Sequence, residues 1–118
     1  MRDHTRLTVF AMADQLALAV YRETQLFPDG ERFGLQSQVR RAAVSIAANI
    51  VEGCARHSQA DYLRFLDIAY GSARELQYEL DLCHRLGLID TDAAKVLNDN
   101  CTATSKALNA LLRVLRKA

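Results

Sequence analysis

The sequence predicts an all-α protein, an antiparallel up-down four-helix bundle, from three observations. Proline occurs once and glycine five times in 118 residues, so little interrupts a helix. Clusters of β-branched residues are absent, and apolar residues recur at spacings of three and four over long runs. The breaks between those runs are short, which makes consecutive helices antiparallel neighbours. One domain, 1–118, is expected, long enough to bury a core without disulfide or metal staples.

The first helix is predicted from about Leu7 to Leu26, ending at Phe27-Pro28-Asp29-Gly30, because proline lacks a donor and restricts the residue before it. Leu7, Phe10, Ala13, Ala17, Val20 and Tyr21 form its apolar side. The second helix runs from about Leu35 to Arg56, with Leu35, Val39, Ala42, Ile46, Ile50 and Gly53 on one side. Gly53 reads either as a C-terminal cap or as a site of close helix approach. Ser58 with Asp61 three residues on has the form of a capping box and opens the third helix, which Gly87 stops. Tyr62, Leu66, Ala69, Ala73, Leu76, Leu80 and Cys83 make a heptad-like seam along it. Asp90 or Thr91 caps the fourth helix, whose core side is Ala94, Leu97, Cys101, Thr104, Leu108, Leu111 and Leu115.

The second helix also carries a polar stripe of Gln38, Arg41, Ser45, Asn49, Glu52 and Arg56 beside its core face. Helix three matches it with Arg64, Ser72, Glu75 and Glu79. In a hairpin turning near Ser58, facing residues carry numbers adding to about 116. That register sets Glu52 against Arg64, Ser45 against Ser72, Arg41 against Glu75 and Gln38 against Glu79. A partly buried polar seam that selects the register is expected. Val44, Ala47, Ala48 and Val51 lie away from both faces, and a helix apolar on nearly all sides needs burial on both. This face is expected to meet another subunit.

Other chemistry finds little support. Net charge is +1, so the global balance announces no polyanion partner. Cys54, Cys83 and Cys101 share no C-x-x-C spacing and read as reduced thiols in a cytoplasmic protein. No run is long enough to span a membrane. A ferritin-like metal site needs two Glu-x-x-His motifs and two inward glutamates, and this chain offers only Asp81-Leu-Cys-His84. No cofactor, small-molecule substrate or catalytic residue is predicted, and a metal-dependent enzyme is a distant alternative. Nucleic-acid binding is the nearer one: Arg40, Arg56, Arg113, Arg116 and Lys117 lack partners in the register above, and repetition in an oligomer would concentrate them.

The chain resembles a bacterial four-helix-bundle family first noticed as proteins encoded by intervening sequences within large-subunit ribosomal RNA genes. The shared pattern is Phe27-Pro28, Glu31, Leu35, Gln38, Arg40-Arg41-Ala42-Ala43, Ser45-Ile46, Asn49-Ile50, Glu52-Gly53 and Arg56, then Phe65-Leu66, Ala69, Gly71-Ser72 and Glu75-Leu76. The resemblance implies a cytoplasmic bundle that assembles into a pentameric ring, without an established activity. A related branch accompanies the reverse transcriptase of diversity-generating retroelements and binds nucleic acid through a strongly basic surface. This chain departs from the pattern at Ala47, where the family often has proline, and at Cys54-Ala55, and its near-neutral charge sets it apart from that branch. The leading expectation is a non-catalytic oligomeric scaffold or adaptor, the second an RNA- or DNA-binding accessory protein.

Overall fold

A computed structural model of the chain describes residues 2–31 and 33–117. Four α-helices make up most of the described residues: α1 (Thr8–Glu23), α2 (Leu35–Cys54), α3 (Gln59–Arg85) and α4 (Thr91–Lys117). Short 3-10 turns at His4–Arg6 and Asp29–Glu31 precede the first two. Each helix packs on its sequence neighbours and α4 closes back on α1, the arrangement of an antiparallel four-helix bundle. The α2–α3 contact is the most extensive.

The helix ends follow local chemistry. Ser58 Oγ accepts the Asp61 N–H at 3.1 Å and starts α3. Only half of the expected capping box forms, since the Asp61 carboxylate turns to Arg64 at 3.8 Å. Asp90 caps α4 by accepting the Ala93 N–H at 2.8 Å. Gly87, at φ 75°, closes α3: the Leu88 N–H reaches back to the Cys83 carbonyl at 2.9 Å and the Gly87 N–H to that of His84 at 3.0 Å. This is the left-handed cap that glycine adopts without a Cβ penalty.

The core matches the predicted seam on α3 residue for residue, with Tyr62, Leu66, Ala69, Ala73, Leu76, Leu80 and Cys83 all buried. Val39, Ala42, Ile46, Ile50 and Gly53 are buried on α2, joined by Ala43 and Cys54. On α1 the buried residues are Val9, Ala13, Leu16 and Val20, while Tyr21 is exposed. The predicted face was rotated because α1 rests on both α2 and α4, so its buried arc is centred between them. At the end of α4, Leu112 is buried in place of Leu111 and Leu115, which pack at the margin of the core.

Gly53 is a close approach and not a cap. A Cβ built there would stand 3.0 Å from Phe65 Cβ and 3.3 Å from the Tyr62 carbonyl oxygen. The absence of a side chain is what lets the end of α2 and the start of α3 meet directly.

Candidate functional site: the outer face of α2 and α3

Two serines hold the centre of this face. Ser45 Oγ lies 2.8 Å from Ser72 Oγ, joining α2 to α3. Asn49 sits one turn further along α2, and its Nδ2 donates to both the Ser45 carbonyl (2.8 Å) and Ser45 Oγ (3.0 Å). This three-residue network lies in the register derived from the sequence. It satisfies hydroxyl groups that the helix contact partly buries.

The charged members of the seam pair differently from expectation. None of the ion pairs among the described residues joins Arg41 to Glu75 or Glu52 to Arg64. Glu52 pairs with Arg56 one turn on, and Arg64 with Asp61 one turn back. Side chains three or four apart on one helix are already neighbours, so each reaches a partner without crossing to the other helix. Arg56 and Arg64 also stack on the Phe65 ring, at 4.8 and 4.5 Å from its centroid. Gln38 is exposed and makes no bond to Glu79.

Glu79 is instead buried, 8% exposed, and its Oε1 has no hydrogen-bond partner. Burial first, and then the neighbouring Glu75 carboxylate, push its carboxyl up to about 7. The Glu75 carboxylate lies one helical turn back on α3 and Glu79 hydrogen-bonds to it, so Glu79 retains its proton up to near neutral pH.

Beside this polar line the face is apolar and open. Val44 is 44% exposed on α2 and Ile68 is 42% exposed on α3, and Ala48 is exposed with them. Ala47 is half-buried against the core and Val51 is also half-buried, so the outward face is narrower than the sequence implied. Gly71 lies mid-way along α3 with no atom within 4 Å of where its Cβ would stand.

The arginines expected to reach an outside partner divide. Arg40 is committed inside the chain: Nε donates to Thr24 Oγ1 at 2.9 Å, Nη2 donates to the Tyr21 carbonyl at 3.2 Å, and the guanidinium lies 4.5 Å above the Tyr21 ring. α1 ends without a glycine, so its last carbonyls are met from α2, with Gln36 Nε2 on the Thr24 carbonyl at 2.8 Å. Arg56 is held by Glu52, and Arg116 by Asp67 on α3. Arg113 and Lys117 are exposed without a partner. Arg2, which the sequence reading passed over, closes α2: its N–H donates to the Cys54 carbonyl at 3.0 Å, and its guanidinium lies 3.9 Å over Tyr62.

All three cysteines are free and buried. Burial pushes the Cys83 and Cys101 thiols up to about 11, so both stay protonated at neutral pH and lack the thiolate that nucleophilic chemistry uses. Among the described residues no three His, Cys, Asp or Glu side chains come together as a metal-binding group. No described helix is long and apolar enough to cross a membrane.

These features define a class: a small antiparallel helical bundle whose polar groups serve register, capping and one unpaired carboxyl site. The chain belongs to the 23S rRNA-intervening sequence protein family, which it matches over residues 5–110. Among solved structures it is similar to a protein of unknown function from the S23 ribosomal protein family of Bacteroides thetaiotaomicron. The two share 27% identity with a TM-score of 0.82, over 89% of this chain and 98% of the other. No curated protein matches.

Proposed function

We propose that this chain is a non-catalytic scaffold or adaptor that works as a homo-oligomer, assembled through the outer face of α2 and α3. The observation that carries this reading is the exposed set Val44, Ala48 and Ile68 beside Gly71. A mid-helix glycine with open space above it costs its own helix about 0.5–1 kcal/mol relative to alanine. Nothing in the single chain needs that space, whereas a second helix laid against α3 would. We take the assembly to be a cytoplasmic ring, of five subunits on the family resemblance.

Light scattering at micromolar concentration tests this. An oligomer is expected for the wild-type chain, and Val44→Glu, which places a charge in the apolar set, should dissociate it while leaving helix content unchanged. Gly71→Ala should raise the thermal stability of the separated subunit yet weaken assembly. A wild-type monomer defeats the reading.

A second reading, nucleic-acid binding in the manner of the retroelement accessory proteins, is favoured by one feature. The groove between α3 and α4, of about 540 Å³, is lined by Arg74, by Lys95 in its pair with Asp99, by Asp81 and His84 and by the exposed Tyr78, and continues past Tyr70 to Lys106. Arg74 and Lys106 along a groove with tyrosines for base stacking suit a single strand. Single-stranded RNA or DNA binding by the purified chain across a salt series decides it. Binding that is salt-sensitive and weakened by Arg74→Ala supports this reading, and no binding at low salt removes it.

A further inference from the structure

We propose that the Glu75–Glu79 carboxyl pair is one half of an inter-subunit ion-pair site, completed by Arg41 of a second copy of this chain. The inference rests on the assembly reading above and assigns its charged contact.

The first observation is an unpaired acceptor in a place where unpaired acceptors are rare. Glu79 is more than nine-tenths buried, and its Oε1 finds no donor within the chain. A buried acceptor without a donor is costly and calls for a partner. The groups around it do not supply one. The Glu75 carboxylate is hydrogen-bonded to the Glu79 carboxyl, but only as an acceptor, and that contact lasts only while Glu79 holds its proton. Cys83, further along α3, remains a neutral thiol. The Glu31 carboxylate, on the α1–α2 connection, is occupied in accepting the Leu35 N–H at 3.2 Å. The Gln38 side chain on α2 makes no hydrogen bond, its backbone N–H alone being engaged, with the Gly34 carbonyl at 3.0 Å.

The second observation is an unpaired donor on the same face. Arg41 is exposed, and its side chain takes part in no hydrogen bond, ion pair or ring contact. The Ser45–Ser72 contact sets the register, and one turn from it Arg41 on α2 comes level with Glu75 on α3. A free cation and an anionic pair thus stand at one level of a face that also carries Val44 and Ile68. Neither uses the other in its own subunit, and a facing copy offers each what it lacks. Guanidinium is the suitable cation, since its planar fork can reach two carboxyl groups at once.

Completion of the site has a consequence for protons. In the separated subunit the buried Glu79 carboxyl keeps its proton up to about pH 7, because burial and the Glu75 carboxylate one turn away both oppose its ionisation. A guanidinium placed against them favours the fully ionised pair, so assembly releases that proton. Association therefore tightens as pH rises toward 7, by up to about tenfold per pH unit for each contact that loses one proton.

The test is sedimentation velocity of the full chain between pH 5.5 and 8.5 at constant ionic strength, with helix content followed by circular dichroism. The wild-type chain should assemble more tightly with rising pH. Glu79→Gln should remove most of that dependence, and Arg41→Gln should weaken assembly and flatten its pH profile. Arg41→Glu and Glu75→Lys should each assemble poorly alone and form mixed oligomers when combined. An oligomer insensitive to pH, or one unaffected by Arg41→Gln, overturns this inference and leaves the assembly reading standing. A wild-type monomer at every pH overturns both.

Discussion

Replacement of Arg40 by alanine separates its role inside the chain from a role toward an outside partner. The side chain makes two hydrogen bonds from a charged donor, to Thr24 Oγ1 and the Tyr21 carbonyl, and stacks on the Tyr21 ring. A charge-assisted hydrogen bond is worth about 1.5–3 kcal/mol when buried. Arg40 is only half-buried, which brings each bond to the low end or beneath it. The stacking adds about 0.5 kcal/mol at such an exposed site. These contributions overlap, so Arg40→Ala should cost about 2 kcal/mol, a fall of roughly 8 °C in Tm for a domain of this size. Urea unfolding followed by circular dichroism measures it. Arg40→Lys should recover less than half, because an ammonium cannot hold both acceptors in fixed geometry. A double-mutant cycle with Thr24→Val should give a coupling of about 1 kcal/mol. If Arg40→Ala stays within about 0.5 kcal/mol of the parent, as an ordinary surface substitution does, the capping role assigned to Arg40 is refuted.

Two further outcomes follow from the same packing. Gly53→Ala should destabilise by about 1–2 kcal/mol, because the added Cβ presses on Phe65 Cβ and the Tyr62 carbonyl, and that overpacking outweighs the gain in helix propensity; equal or greater stability in urea would contradict the close approach. Glu79→Gln, compared in the Val44→Glu background designed to disrupt the proposed assembly, should abolish a pH dependence of stability. The folded subunit holds its Glu79 proton up to about pH 7, whereas the unfolded chain releases it near 4.5. The contribution of Glu79 to stability is therefore complete below pH 4.5 and is lost as pH rises through 7, by about 3 kcal/mol in all. The glutamine variant should be the more stable chain at pH 8 and lose that advantage at pH 4, as parallel urea titrations would reveal.

Much of this molecule is written in short-range pattern. The seam on α3 is legible because each of its residues sits on one helix face at the spacing that buries them together, and no polar residue interrupts it. The Ser45–Ser72 contact is legible for a related reason: a tight turn at Ser58 allows only one antiparallel register, and the number of residues back from the turn then locates the partner. The charged seam was not legible by the same count. Register places backbones opposite one another, but a long flexible side chain chooses among every acceptor in reach, and its own helix offers one three or four residues away. Glu52 and Arg64 made that choice.

What the sequence by itself determined is the number of helices, their order, most of the core face of each and the caps that end them. These rest on periodicity and on the local chemistry of Ser58, Gly87 and Asp90. The tertiary structure decided the rest. It turned α1 so that Leu16 is inside and Tyr21 outside, because two neighbouring helices share its burial. Gly53 became a point of contact and not a stop, and Arg40 was taken from the surface to close α1. Glu79 was left under cover without a donor. Each of these depends on which atoms of distant segments arrive at the same place, and helical periodicity carries no information about that.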